Sequence, residues 1–212
     1  MKQYDKKEEY IHSKYYLFVT VIFIFKIILM GLFSSDYQDK LFMPFVNDFV
    51  LNGGNVYQRF WENSIMNAFP YPPMMLLVES TGMLIIKVLG ITSAFWTNFF
   101  FKLPSLLLDS IGLMILIRFF PEKRRYIAVF YYASPIILYA VYMHGQLDLV
   151  PMVFLIIALF FLISKKNDMY RYGFGTLFTV LALLCKFHIL AVIPIIFFYL
   201  QKRDDLKHAI VY

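Results

Sequence analysis

Long apolar runs alternate with short basic clusters along this chain. The first run, residues 15–33, is long enough to cross a bilayer as one helix, and Lys26 is its only charged residue. Four more apolar stretches follow, at residues 98–119, 126–142, 147–163 and 173–200. Because each span needs about 20 apolar residues, and the last stretch forms a hairpin, the pattern predicts an all-α membrane protein with about six transmembrane helices in one domain.

A long polar stretch interrupts this alternation directly after the first run. It covers residues 34–73 and leads into a weaker apolar segment, residues 74–89, which contains Glu79 and Lys87. Two charges this close together are costly in a helix that faces lipid, but they are natural in a helix at the membrane surface. We therefore expect residues 34–97 to form one outer loop with an interfacial helix at 74–89.

The basic residues support that topology. Of the 20 lysines and arginines, 14 fall in four clusters, at residues 1–14, 118–125, 165–171 and 201–212. If the segment 74–89 does not cross the membrane, all four clusters face one side, which the positive-inside rule makes cytoplasmic. The N-terminal tail 1–14 and the end 201–212 are then cytoplasmic, and the remaining spans occupy residues 98–200.

Composition excludes an ordinary soluble domain. The chain of 212 residues is 60% apolar and only 16% charged, with a mean hydropathy of +0.65. The net charge of +6 is therefore assigned to topology and anionic lipid, and no nucleic-acid partner is expected. The first run is too long for a signal-peptide core and no small-residue cleavage site follows it, so we expect a retained span. Cys185 lies in an apolar run and predicts no disulfide.

Two acids just beyond the first span are the leading candidates for chemistry. Asp36 and Asp39 are three residues apart, so a helix would place both on one face. A partly desolvated carboxylate at the membrane surface can act as a general base, although acids after a span can also be ordinary solvated residues. Further on, Tyr71 lies in the segment 69–73, Phe-Pro-Tyr-Pro-Pro, where the prolines predict a rigid extended backbone.

The other candidates lie at two breaks that the topology places on the outer side. His144, Gln146 and Asp148 surround a glycine between two spans, where Gln146 is suited to a sugar hydroxyl or a phosphate. Lys186 and His188 occupy the break in the apolar hairpin, where they could meet an anionic headgroup, although Lys186 could equally extend to the lipid surface. No set of ligands with metal-binding spacing is present in the sequence.

Three charged residues lie well inside the first two predicted spans, away from the ends of those spans. Lys26 could extend to the interface or pair with a carboxylate on another span. Asp109 needs a partner, and Lys26 or the His144 turn are the candidates. Lys102 shares a helix face with Asp109 but is about 10 Å from it along the axis, so the two are not expected to pair directly.

Taken in order, five segments resemble the GT-C superfamily of integral membrane glycosyltransferases, which use a polyprenyl-phosphate-linked sugar. They are Ser35-Asp36-Tyr37, Tyr71-Pro72-Pro73, Lys102-Leu103-Pro104 with Asp109, the turn from His144 to Asp148, and the broken hairpin around Lys186. The resemblance covers about residues 30–200 and is nearest to mannosyltransferase-like and glucosyltransferase-like members.

The resemblance implies an inverting transfer in which Asp36 is the general base on an acceptor hydroxyl. Lys186 or His188 would stabilise the departing lipid phosphate, and the remaining candidates would contact substrate: Asp39, Tyr71, His144, Gln146 and Asp148. The implied partners are a polyprenyl-phosphate sugar, a glycan, lipid or protein acceptor, and membrane lipids. No cofactor is assigned with certainty, and a divalent metal ion is left open.

The resemblance also favours the plasma membrane of a prokaryote over the endoplasmic reticulum. Members of the superfamily are longer, which implies a missing C-terminal half or a partner subunit. Two other classes of function stay open from the sequence. One is a transporter or flippase in which Lys26, Asp109 and Asp148 form a polar path, and the other is a non-catalytic membrane subunit.

Overall fold

A computed structural model describes residues 2–65, 68–163 and 168–203, and these ranges contain helices and no strand. The all-α prediction is therefore confirmed for the described part of the chain. The helices are α1 (Lys2–Leu32), α2 (Met43–Asn52), α3 (Val56–Glu62), α4 (Pro73–Val88), α5 (Ala94–Phe119), α6 (Pro121–Met143), α7 (Leu149–Ile163), α8 (Asp168–Cys185) and α9 (Ile193–Arg203). Most of the predicted cytoplasmic end, residues 201–212, lies outside the described residues.

Three of the described helices are long and apolar enough to cross a membrane. They are the part of α1 from Ser13 to Leu32, α5 and α6, while α7 and the Tyr170–Cys185 part of α8 are apolar but shorter. These lengths are consistent with a membrane protein, as the hydropathy pattern predicts. The number of about six spans stays a prediction.

Helices α1 and α5 pack side by side in opposite directions. Gly31, near the end of α1, lies against the Phe95 ring near the start of α5, and a Cβ atom at Gly31 would come within 2.3 Å of that ring. At the other end of α1, the Arg124 guanidinium lies 5.6 Å from the centre of the Tyr15 ring. The basic cluster after α5 is thus at the same end of the bundle as the start of the first apolar run. The connection formed by residues 34–93 begins and ends at the opposite end of the bundle.

The long connection between α1 and α5 is folded around an aromatic cluster. Phe45 of α2 stacks on Phe69 at 5.1 Å and contacts Tyr57 of α3 at 5.0 Å between ring centres. Asn55 caps α3 by accepting a hydrogen bond from the Gln58 amide. This packing holds the segment 69–73 against α2 and α3, which is how it acquires a fixed position.

Helix α4 packs tightly on α5 at a glycine. A Cβ atom at Gly82 would lie 2.3 Å from the Phe100 carbonyl oxygen, so only glycine allows this approach. Glu79 on the same face is fully buried, whereas Lys87 is exposed near the end of the helix and Leu77 and Leu84 face outward. The carboxylate that suggested a surface helix therefore points into the protein. Whether residues 74–89 lie in the interface stays a prediction.

The approach of α4 to α5 gives a stability prediction. We expect Gly82→Ala to lower the free energy of unfolding by about 1–3 kcal/mol, because the new methyl group meets backbone rather than a side chain that can move. Thermal unfolding in detergent measures this effect. Gly173→Ala is the matched control, because Gly173 lies in α8 with open space around it, and alanine there should be neutral or stabilising. An equal loss in both variants would contradict the prediction.

The second half of the chain departs from regular helix at several points. α6 contains widened π-helical turns at Ala128–Tyr132 and Leu138–Met143, and it is interrupted just before Pro135. α8 ends at Cys185, and a 3₁₀ turn covers Phe187–Val192 before α9 begins. The hairpin is thus broken at Lys186, as the sequence predicts. Between the two shorter helices, Gly175 of α8 packs closely on Leu162 of α7.

Candidate functional site

The site is an open cleft of about 500 Å³ beside the extended segment 69–73. Aromatic and proline side chains form most of its wall, and two basic residues also line it. The lining residues are Tyr57, Phe69, Pro70, Tyr71, Pro72, Pro73, Lys186, Phe187 and His188. The cleft thus brings together three of the residues that the sequence singled out: Tyr71, Lys186 and His188.

Tyr71 is fixed in the wall by its neighbours. The hydroxyl of Tyr57 donates a hydrogen bond to the Tyr71 carbonyl oxygen at 2.8 Å, and the Tyr71 side chain is buried. Burial raises the pKa of Tyr57 to about 12, so this phenol stays protonated and able to donate at any physiological pH. Burial also raises the pKa of Tyr71, and the nearby charge of Asp148 raises it further. Tyr71 is therefore a neutral part of the wall.

Lys186 is the main charge in the cleft, and it has a partner. Its backbone is extended where α8 ends, and its ammonium group forms an ion pair with the Asp148 carboxylate. The same ammonium group lies 5.6 Å from the centre of the Tyr71 ring. Because the Lys186 side chain is 32% exposed and that of Asp148 is 50% exposed, water screens the pair. An anion that enters the cleft could therefore compete with Asp148 for the lysine.

The turn that carries Asp148 is anchored to the start of the long connection. The His144 ring stacks on Tyr37 at 5.8 Å, and the His144 carbonyl accepts a hydrogen bond from the Ser35 hydroxyl at 2.5 Å. The Gln146 backbone N–H donates a hydrogen bond to the Ala140 carbonyl near the end of α6. His144 and Gln146 thus lie on the turn that supplies Asp148, but they are not among the lining residues of the cleft.

Asp36 and Asp39 have separate partners. Asp36 is exposed and pairs with Lys40 four residues later at 2.9 Å, whereas Asp39 accepts a hydrogen bond from the Ser34 hydroxyl at 2.6 Å. Neither acid lines the cleft. The side chains of Lys40 and Asp36 are 70% and 80% exposed, so this ion pair is weak and leaves the Asp36 carboxylate accessible.

Two of the charged residues inside the bundle pair with each other. Lys26 and Asp109 are both fully buried and form an ion pair at 2.5 Å, which resolves the two roles left open for Lys26. The Tyr142 hydroxyl donates to the same Asp109 oxygen at 2.5 Å, and the Lys26 ammonium lies 3.2 Å from the centre of the Tyr132 ring. Asp148 pairs instead with Lys186 at the cleft, so the three residues of the hypothetical transport path belong to two different ion pairs.

Sequence reasoning missed how three buried polar residues are used. The Lys102 ammonium donates to the carbonyls of Met30, Phe33 and Tyr142, and so joins the end of α1 to the end of α6. Gln38 and Glu79 are fully buried, and neither Glu79 carboxylate oxygen has a hydrogen-bond partner in the described structure. When the partners of a polar side chain lie far away in the sequence, no local sequence pattern identifies them. The one available signal was that Lys102 and Glu79 are charged residues in apolar segments.

Metal ligands are also absent from the geometry of the described ranges. Within residues 2–65, 68–163 and 168–203, no three His, Cys, Asp or Glu side chains lie close enough together to hold a metal ion.

Comparison with known proteins found no matching family model, no matching curated protein and no matching solved structure. The described residues define the class of a helical protein, and three of their helices are suited to crossing a membrane.

Proposed function

We propose that this protein is an integral membrane glycosyltransferase that moves a sugar from a polyprenyl-phosphate carrier to an acceptor hydroxyl. The proposal rests on three residues from distant parts of the chain. Lys186 lies over the Tyr71 ring in the cleft and forms an ion pair with Asp148. His188 lines the same cleft. A largely apolar wall that also contains a lysine and a histidine matches a ligand that has a hydrocarbon chain and a phosphate group.

The proposed reaction inverts the configuration at the sugar. The acceptor oxygen attacks the anomeric carbon, the bond from that carbon to the phosphate oxygen breaks, and Asp36 takes the proton of the acceptor hydroxyl. The lipid phosphate leaves with the electron pair of the broken bond. Lys186 and His188 stabilise its charge, and Lys186 must exchange Asp148 for the phosphate to do so.

The remaining candidates have supporting roles in this proposal. Tyr71 forms the wall against which the donor lies, and Asp148 orients Lys186 while the cleft is empty of ligand. His144 and Gln146 hold the turn beside the acceptor, and Asp39 contacts substrate next to Asp36. The acceptor is a glycan, a lipid or a protein, the membrane is a prokaryotic plasma membrane, and the N-terminus is cytoplasmic.

The full-length protein in liposomes tests the proposal. We expect sugar transfer from polyprenyl-phosphate-linked sugars and none from nucleotide sugars. Lys186→Met should raise the KM for the lipid donor by about 10- to 100-fold, because a charge-assisted hydrogen bond contributes about 1.5–3 kcal/mol. Lys186→Arg should keep most of the affinity, because it keeps the positive charge.

Lys87→Met is the control for loss of a lysine, because Lys87 is exposed near the end of α4 and does not line the cleft. Its KM should equal that of the original protein. Transfer from nucleotide sugars alone, or no transfer from any lipid-phosphate sugar, would refute the proposed function. An unchanged KM in Lys186→Met would refute the role of the cleft.

A further inference from the structure

A buried amide lies between the segment that carries Asp36 and the turn that carries Asp148. Gln38 is fully buried although it is only two residues from the exposed Asp36. It begins a π-helical turn, Gln38–Phe42, and such turns are frequent at functional sites. An uncharged polar side chain is costly to bury unless its polar atoms are hydrogen-bonded, so a fully buried glutamine needs an explanation.

The contacts of Gln38 join three parts of the chain. Its Nε2 atom donates a hydrogen bond to the Asn98 side-chain oxygen of α5 at 3.1 Å. Within the described part of the chain its Oε1 atom has no donor; it lies against Gly145, where a Cβ atom would come within 2.5 Å of it. Gly145 also has a φ of +75°, so both its backbone conformation and its neighbour favour glycine. Gln38 thus fills the space between α5 and the His144 turn.

Other contacts between the same two segments reinforce this arrangement. Ser35 donates from its hydroxyl to the His144 carbonyl, and Lys102 donates to the carbonyls of both Phe33 and Tyr142. These bonds precede Asp36 on the chain and Asp148 in the turn. Among the described residues the Asp36 side chain pairs with the exposed Lys40, so the buried neighbours must set where its carboxylate lies.

We infer that Gln38 is a positioning residue that fixes the Asp36 segment against the turn leading to Asp148. This inference rests on the proposed function, because it gives Gln38 the task of holding the general base at a set distance from the cations of the cleft. A displacement of about 1 Å between reacting groups can reduce the rate by about 100-fold, so a small loss of order at this contact should affect turnover strongly.

Kinetics on the full chain in liposomes test the inference. Gln38→Met keeps the length of the side chain and removes its amide, and we expect kcat to fall about 10- to 100-fold while the KM for the lipid donor stays within about twofold. Asn98→Leu should have the same effect, and the double variant should be no worse than either single variant, because the two residues act as one contact. Gln58→Met is the matched control, because Gln58 is exposed on α3 and should keep full kcat.

A distance measurement separates this inference from the proposed function. Spin labels at Asp36→Cys and Ile136→Cys, in a Cys185→Ala background, report the segment and the helix before the turn, and Ile136 is exposed enough to carry a label. We expect one narrow distance distribution that broadens or shifts when Gln38→Met is added. If the original protein transfers no sugar, the proposed function fails and the distances still decide the positioning role. An unchanged distribution, or a loss of thermal stability with unchanged kcat, would overturn the inference.

Discussion

Asp109→Leu should lower the free energy of unfolding by about 3–5 kcal/mol, the largest effect on stability that we expect in this chain. The substitution leaves the Lys26 ammonium fully buried beside Tyr132 and removes the carboxylate with which it pairs in the described structure. An uncompensated charge in a low-dielectric interior is far more costly than the loss of one hydrogen bond. Denaturant titration in mixed micelles, followed by the fluorescence of Trp61 and Trp96, measures the change.

The double variant is the decisive arm of this experiment. Lys26→Met with Asp109→Leu should recover most of the lost stability, because apolar residues of similar volume can replace a buried ion pair at little cost. About 1–3 kcal/mol should remain lost, because the Tyr142 hydroxyl would have no acceptor, and adding Tyr142→Phe should restore it. If the effects of the two single substitutions simply add, the two residues are not coupled and the prediction is wrong.

A partly exposed ion pair serves as the control for Asp109. Asp48 accepts hydrogen bonds from Arg59 at 2.5 and 2.8 Å in the long connection. Burial raises the pKa of Asp48, but the hydrogen bonds from Arg59 and Asn52 and the Arg59 charge together lower it below its usual range, so the carboxylate is charged at neutral pH. The side chains of the pair are 25% and 34% exposed, so Asp48→Asn should cost no more than about 1 kcal/mol.

Asp109→Asn also tests the transporter hypothesis, because loss of substrate movement with unchanged stability would favour a polar path.

Hydropathy and backbone chemistry predicted the parts of the fold that depend on neighbours in sequence. Apolar runs identified α1 and α5, and the prolines from Pro70 to Pro73 identified an extended segment followed by a helix. The break at Lys186 was also readable, because a lysine interrupts a short apolar run there. In each case the determining residues lie within a few positions of one another, so a single sequence contains the information.

The contacts that shape the site could not be predicted from the sequence, because they join residues far apart in the chain. Lys102 bonds to carbonyls at Phe33 and Tyr142, and backbone carbonyls have no signature in the sequence. Glu79 suggested a surface helix by its charge, yet it faces inward because Gly82 lets that side of α4 approach α5. A hydropathy pattern shows that a helix contains a charged residue, but it does not show whether that side chain faces the protein interior or the surface.

The partners of Asp36 were also not predicted by the sequence pattern. Its spacing from Asp39 suggested a shared face, but the two acids have different partners, and only Lys40 contacts the Asp36 carboxylate among the described hydrogen bonds. A base must be free to accept a proton from the acceptor, and an exposed, weakly paired carboxylate meets that requirement. The buried neighbours of Asp36 then matter more than its own contacts, because they fix the backbone that carries it.

Asp36→Asn should reduce kcat for sugar transfer by about 100- to 10,000-fold, the range that removal of a general base produces. The amide has nearly the same shape as the carboxylate and cannot take the proton of the acceptor hydroxyl. The KM for the lipid donor should change little, because the proposed donor contacts lie in the cleft at Lys186 and His188. A radiolabelled-sugar transfer assay at saturating donor and acceptor measures both constants.

Two comparison variants distinguish a base from an ion-pair partner. Lys40→Gln removes the partner of Asp36 and leaves its carboxylate, so kcat should change by less than about fivefold, which is what a weak exposed pair allows. Glu62→Gln makes the same chemical change at an exposed acid of α3 and should have no effect. Equal losses in Asp36→Asn and Lys40→Gln would mean that the pair, and not the proton transfer, is what matters. Full turnover in Asp36→Asn would remove Asp36 from the reaction, and Asp39→Asn would then test the other acid of this segment.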